Sequence, residues 1–275
     1  MTAAPPSFAS RMNFDDALKQ HLPRVWFRFK FLKYKYGGRG EPELRLIRHL
    51  VARGTTAIDI GSSIGLYSAE LARYAGKVLA FEANPQVAAF AARVAPRNVE
   101  VINAALSSRQ GRTSIQIPVH SGGHPIDELG TIEPGNPLHA VGISAGDVPM
   151  RRLDDLGITD CSFVKIDVEG HEESVLDGAA ALIAAQRPIL LVEINEPSVP
   201  GTVARIAGSF AARSYRGTFL SHGRLHPVAS FDPAVHQDAA LLEFPRHRLP
   251  PGAEFINNFL FIPEEKSANV LARIG

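Results

Sequence analysis

Two short stretches carry residue types at spacings that could do chemistry. In "AIDIGSSIGLYS", residues 57–68, an apolar run closes on Asp59 and Ile60 and then turns through Gly61 and Gly65. A glycine at a strand end lets a ligand approach the backbone closely, and the helix that follows presents free N–H groups. In "FVKIDVEGHEESVLDG", residues 163–178, the carboxylates of Asp167 and Glu169 interrupt the end of an apolar run just before Gly170. A buried carboxylate without a partner is costly, so acids at that place need a counter-charge or a task.

The first stretch is spaced Gly-x-x-x-Gly and lacks the Gly-x-Gly-x-x-Gly of a dinucleotide fingerprint, which makes a pyrophosphate the weaker candidate. Glu82 ends the next apolar run, "VLAFE", about 20 residues beyond Gly61, where an acid can accept hydrogen bonds from both hydroxyls of a ribose. A glycine turn plus a ribose-binding acid, without a phosphate site, suits an adenosyl ligand that carries no phosphate. S-adenosylmethionine answers that description. Asp59 would orient the loop or meet the ligand's ammonium group, directly or through water, and Asn103 would stand by the adenine. The expected cofactor set is Asp59, Gly61, Ser62, Gly65, Glu82, Ala83, Asn103 and Ala104.

Asp167 is the expected catalytic residue. Near a sulfonium it could receive the proton of an alcohol whose oxygen attacks the methyl carbon, or hold a base or metal that does so. Glu169 and His171 are secondary candidates, and His171 also reads as a solvent-facing residue that opens a helix. Glu193, at the end of "ILLVE", could join Asp167 as an oxygen ligand for a divalent ion such as Mg²⁺, or accept hydrogen bonds from backbone or substrate. Strand alternation puts Lys165 on the same side as Asp167, as a counter-charge or a strand-end ion pair. His120, His124 and His139 sit in a Gly- and Pro-rich stretch without ligand spacing and read as surface residues, not a metal site.

Positioning these groups takes a parallel sheet. From Thr56 onward, apolar runs alternate with helical patterns, the mark of βαβ units buried on both faces. Strands are expected over 56–60, 77–82, 99–105, 162–167 and 188–194, and helices over 66–74, 85–95, 172–185 and 199–213. "SYRGTFL", "GRLHPVA" and "NNFLFIP" add strands near the end. Residues 119–150, following a short strand "TSIQIP", read as an irregular insertion or acceptor lid. Ahead of the sheet, residues 1–53 form a helical extension, with a helix over 13–22 stopped by Pro23 and an amphipathic helix over 41–53. Between them, residues 24–40 interleave aromatics with Arg28, Lys30, Lys33 and Lys35. This run could bind a lipid-linked or glycan acceptor, dock on a second subunit, or pack its rings inward with lysines outward.

The 275 residues, 45% hydrophobic, suffice for one main domain over 54–275. With 29 basic and 28 acidic residues the net charge is +1, so no overall field marks nucleic acid or an anionic membrane as partner of the whole molecule. A lone Cys161, no secretory pattern at the N-terminus and no run near the roughly 20 apolar residues of a transmembrane helix lead to an expected soluble, cytoplasmic protein.

The stretches "AIDIGSSIGLYSAELARYAGKVLAFEANP", "INAALS", "RRLDDL", "FVKIDVEGHEESVLDGA" and "ILLVEIN", in this order, resemble the FkbM-like family of S-adenosylmethionine-dependent methyltransferases. The similarity covers residues 57–195, with "NNFLFIP" as a candidate last strand; it does not reach residues 1–53 and is weak across 120–149. Ser62 stands where the family more often has alanine. The resemblance implies an α/β, class I (Rossmann-like) methyltransferase fold, a seven-stranded mostly parallel sheet with helices on both faces. It implies methyl transfer to a hydroxyl of a sugar, glycoconjugate or secondary metabolite; the expected partner is a small-molecule or glycan acceptor, with no nucleic acid expected from the balanced charge. Two rivals stay open: a nicotinamide-dependent oxidoreductase, and a non-catalytic adenosyl-binding protein that grips nucleic acid through residues 24–39. For the methyltransferase reading a homo-oligomer is compatible with the sequence.

Overall fold

The computed structural model of the protein describes residues 14–37, 40–118, 132, 142–238, 240–241, 249–250 and 253–274. The chain opens with helices α1 (Phe14–His21) and α2 (Pro23–Tyr36). Pro23 both stops the first and begins the second, where its missing N–H costs nothing. The aromatic and basic run is thus a helix. The helix expected over 41–53 is instead a 3₁₀ turn at Pro42–Arg45 followed by a single turn, α3 (Ile47–Leu50). Glu41 fixes the entry to this segment, accepting hydrogen bonds from Tyr34 Oη (2.7 Å), Tyr67 Oη (2.7 Å) and Asn258 Nδ2 (3.0 Å). These tertiary ties override the period, yet Leu44, Ile47, Leu50 and Val51 are all buried together, as their spacing requires.

Strand β1 (Thr56–Ile60), helix α4 (Leu66–Leu71), β2 (Lys77–Glu82), α5 (Pro85–Val94) and β3 (Val99–Asn103) follow the expected alternation. β3 stops short of Ala105 because Nδ2 of Asn103 donates back to the carbonyls of Glu82 (2.8 Å) and Ala83 (3.0 Å). The chain then leaves the main sheet. β4 (Ala105–Leu106), β5 (Gly111–Pro118) and β6 (Gly142–Arg151) form a separate small sheet in the order β4-β6-β5. β6 corrects the reading of residues 119–150 as irregular throughout, since 142–150 pair antiparallel with β5. Val148 and Met150 are buried, as are Ile115 and Ile117 across the pair. Glycine and proline hid this alternation, and the register slips beside Gly146, whose φ of +116° belongs to a glycine bulge. His120, His124 and His139, with most of the expected lid, lie outside the described residues.

β7 (Cys161–Ile166), α6 (Glu172–Asp177), α7 (Ala180–Gln186), β8 (Ile189–Glu193), α8 (Thr202–Ala211), β9 (Tyr215–Ser221), β10 (Arg224–Pro227), α9 (Pro233–His236), β11 (Asn258–Pro263) and α10 (Glu264–Ile274) complete the chain. The single helix expected over 172–185 breaks at Gly178, where a Cβ would overlap the carbonyl oxygen of Ser107. Only glycine lets the two helices lie that close to the loop after β4.

The main sheet runs β10-β9-β11-β8-β7-β1-β2-β3. It has eight strands where seven were expected, and the addition is β10, which turns back on β9 as an antiparallel hairpin. β3, β2, β1, β7 and β8 are parallel, and β11 is antiparallel to both of its neighbours. Ile58, Ile60, Val164, Ile166 and Val192 bury one face beneath Val175, Leu182 and Ile206. Ala57, Val78, Phe163 and Leu191 bury the other beneath Leu44, Ile47 and Leu71. The winding reverses between β1 and β7, whose ends lie level, Asp59 beside Lys165 and Ile60 beside Ile166. Open parallel sheets form their ligand crevice at such a point. Among the described residues no helix is long and apolar enough to cross a membrane.

Candidate active site

The loop after β1 is built from left-handed residues: Gly61 at φ +75°, Ser63 at +48° and Gly65 at +91°. This curl lets the N–H groups of Gly61 and Ser62 both donate to the carbonyl of Phe81 in β2 (2.9 and 3.0 Å). Glycine is required at position 61 for a reason the sequence did not disclose. A Cβ there would overlap the carbonyl oxygen of Asp167, so the β1 and β7 loops are in backbone contact. Asn84 caps α5 as its Asn-Pro start suggested, accepting from the N–H groups of Gln86 and Val87.

Glu82, 8% exposed, is held from two sides: Oε2 accepts from the Ser63 N–H and Oε1 from the Asn84 N–H, both at 2.8 Å. Burial raises its pKa to about 7, against the pull of those two hydrogen bonds. Gly61, Glu82, Ala83 and Ala104 line a cleft of about 620 Å³, part of it open to solvent, at the carboxyl ends of β1, β2 and β7. Ile60, Phe81, Leu106 and Ile132 give it apolar walls. Ile60, Phe81 and Leu106 were not singled out from the sequence, because a buried strand end reads as core until the crevice is seen, whereas Ile132 falls in the stretch expected to form a lid. Ser63 also lines it, and the only signal in the sequence was its place between the two glycines.

The other half of the expected cofactor set does not line this cleft. Ser62 and Gly65 line a smaller cavity of about 210 Å³ under α2, together with Phe27. Asn103 ties the turn after β2 to β3 through the two bonds that end its strand. Asp59 is fully buried, accepts from Ser68 Oγ at 2.5 Å through Oδ2, and leaves Oδ1 without a hydrogen-bond partner among the described residues. Burial raises its pKa, opposed by the charge of Lys165 and the bond from Ser68.

Asp167, Val168, Glu169 and His171 form the opposite wall. The ammonium of Lys165, 2% exposed, sits 2.8 Å from Asp167 Oδ2 and 4.6 Å from the centre of the Tyr67 ring. Burial opposes that charge, but Asp167, Glu41, Glu193 and Asp59 together hold the pKa above the ordinary lysine value. One oxygen each from Asp167, Glu169 and Glu193 lie within 4.8 Å of one another. Such a set of oxygens suits a hard divalent ion. Lys165 already gives Asp167 a cation, and Asn257 Nδ2 already donates to Glu193 Oε1. Glu169 itself sits at φ +51°, a left-handed conformation costly for a side-chain-bearing residue and concentrated at functional sites. His171 is not a solvent-facing residue, being half-buried with Nε2 2.9 Å from Ser107 Oγ.

The family model for the methyltransferase FkbM domain matches residues 59–216. Among solved structures, a methyltransferase FkbM from Methylobacillus flagellatus shares 13% identity at a TM-score of 0.49 over 90% of this chain and 52% of that one. This chain thus spans about half the length of that protein. An rRNA methylase from Streptococcus thermophilus shares 11% identity at a TM-score of 0.45, over 80% of this chain and 92% of that one. A methyltransferase from Streptococcus mutans, crystallised with S-adenosylhomocysteine, shares 8% identity at a TM-score of 0.42, over 80% of this chain and 95% of that one. A search of the curated proteins gave no match. The match over residues 59–216 takes in the β1 loop, Glu82 and the Asp167 wall, and the chain belongs to the FkbM methyltransferase domain family.

Proposed function

We propose that the cleft binds S-adenosylmethionine across the ends of β1 and β2 and that the protein methylates a hydroxyl oxygen of a sugar, glycoconjugate or secondary metabolite. The observation that carries this is the clamp on Glu82. Each carboxylate oxygen already holds one backbone N–H and keeps further acceptor capacity, the arrangement that two vicinal ribose hydroxyls need. Asp59, fully buried on β1 just before the Gly61 turn, does not line the cleft but adds a carboxylate close behind it, which suits a ligand that also bears an ammonium group. Ile60, Phe81 and Leu106 offer the apolar surface that a purine takes.

When bound, the cofactor supplies an electrophilic methyl group for in-line displacement by an oxygen nucleophile. The chain's own work is positioning, which supplies much of the acceleration in such reactions. Asp167 takes the proton of the acceptor hydroxyl, and Lys165 fixes its carboxylate in place. Glu169 and His171, on the same wall, hold the acceptor's neighbouring hydroxyls.

The test is calorimetric titration with S-adenosylhomocysteine. Binding that disappears in Glu82→Ala supports the reading. No heat with well-folded protein, or tight NADH binding in its place, overturns it.

A further inference from the structure

α2 has two apolar faces, and the fold covers one. Trp26 and Phe27 are buried against Val94, with Phe90 edge-on to the indole at 5.6 Å between ring centres. On the opposite side Leu22, Val25, Phe29, Leu32 and Tyr36 are 52% to 65% exposed. They alternate at three- and four-residue spacing, so they form one stripe along the helix, roughly 21 Å long at about 1.5 Å per residue. Chance scatters apolar side chains singly over a surface; an ordered row of large ones marks an interaction site.

Charge decides what takes the row. From Pro23 to Tyr36 the helix carries Arg24, Arg28, Lys30, Lys33 and Lys35 and no acidic residue. Lys35 is spent inside on Glu70 at 2.6 Å, while Arg28 and Lys33 are exposed and flank the stripe on either side. The same spacing would also serve a two-helix seam. A second copy of α2 would set Arg28 and Lys33 against like charges with no acid on the helix to answer them, which is repulsive. An anionic bilayer surface satisfies both features at once, since the apolar row enters the acyl boundary and the flanking cations meet phosphates. The helix is too short to span and long enough to lie flat.

We propose that α2 is a membrane-surface anchor, with Leu22, Val25, Phe29, Leu32 and Tyr36 embedded in an anionic lipid leaflet and Arg28 and Lys33 at its headgroups. This goes beyond the chemistry of the cleft and does not rest on it.

The test is flotation of the full chain with vesicles of phosphatidylglycerol and phosphatidylcholine, against phosphatidylcholine alone. Binding to the anionic vesicles, weakened by salt, is expected. Phe29→Glu with Leu32→Glu should lower the partition coefficient by about tenfold or more. Arg28→Glu with Lys33→Glu should weaken binding to the anionic vesicles by a comparable factor. All four positions are exposed, and unchanged circular dichroism and melting confirm the fold. The proposal is overturned by absence of binding at low salt, by unaltered binding of either double variant, or by sedimentation showing a dimer that Phe29→Glu with Leu32→Glu dissociates.

Discussion

Lys165 and Asp167 stand two residues apart on one side of the same strand end, their charged atoms 2.8 Å apart, with the lysine buried and the aspartate opening on the cleft. Asp59 lies level with Lys165 on the neighbouring strand, so the same ammonium also tempers the acid behind the glycine loop. One buried cation thereby ties the loop proposed to hold the cofactor to the wall proposed to hold the acceptor.

Asp167→Asn keeps the shape of that wall and removes its ability to take a proton. Turnover of a hydroxyl acceptor, followed by transfer of labelled methyl, should fall by about 10²–10⁴. Affinity for S-adenosylhomocysteine, read by calorimetry, should stay within about twofold, because Asp167 is not among the groups proposed to grip the nucleoside. Unchanged turnover would remove Asp167 from the chemistry.

Lys165→Met removes the counter-charge and leaves Asp59 and Asp167 facing each other across β1 and β7. Truncating one partner of a buried pair typically costs about 3–5 kcal/mol, and urea unfolding should show a loss of that order. Adding Asp167→Asn to Lys165→Met should restore part of it, since the stranded charge is then gone. Additive losses in the double variant would mean that the two residues do not act as a pair.

Glu82 makes the protein pH-sensitive in a definite direction. Its folded pKa is about 7 against the ordinary 4.5, so between those values the folded state holds a proton that the unfolded state has released. Stability should therefore be greatest below about pH 4.5 so far as this group is concerned, and decline as pH rises to about 7, by on the order of 3 kcal/mol. Glu82→Gln should flatten that part of the profile. A ligand that donates hydrogen bonds to the carboxylate binds the ionised form. S-adenosylhomocysteine should then release a proton on binding at pH 6, visible as a dependence of calorimetric heat on the buffer's ionisation enthalpy. Affinity that is level from pH 5.5 to 8 would contradict the clamp.

Chelation should leave methyl transfer intact. The oxygens of Asp167, Glu169 and Glu193 are close enough for a divalent ion, but Lys165 and Asn257 already serve two of the three. Dialysis against EDTA followed by assay with and without Mg²⁺ measures this directly, and an activity lost on chelation and restored by Mg²⁺ would assign the carboxylates to a metal.

β1 and β2 were legible to the residue because buried parallel strands are continuous apolar runs, here bounded by glycine after β1 and closed by an acid in β2. Spacing also located Gly61, Glu82 and Asp167 at strand ends on the crevice. It could not say which way the side chains between them turn. Ser62 and Gly65 lie on the far side of the loop because Gly61 and Ser63 reverse the backbone, and Asn103 bends back to its neighbour's carbonyls. α2 falls inside the expected helical extension but was not drawn as an element of its own, because rings on both of its faces blur the apolar period. β6 was missed because its glycines interrupt an alternation that Val148 and Met150 nonetheless keep.

Gly61→Ala tests whether the β1 and β7 loops are in backbone contact, and Gly54→Ala supplies the control. Both glycines are left-handed, at φ +75° and +78°, so either alanine meets the same backbone penalty of about 1–2 kcal/mol. At Gly54 nothing lies within 4 Å of the added Cβ, whereas at Gly61 it would overlap the Asp167 carbonyl oxygen. Main chain cannot rotate away as a side chain can, so one loop must move and carry Asp167 with it. Gly54→Ala should therefore lower stability by the backbone penalty alone and leave S-adenosylhomocysteine affinity unchanged. Gly61→Ala should cost clearly more in chemical unfolding and weaken that affinity as well. Equal losses in the two variants would mean that the loops do not touch, and the link from the glycine turn to Asp167 would fall with them.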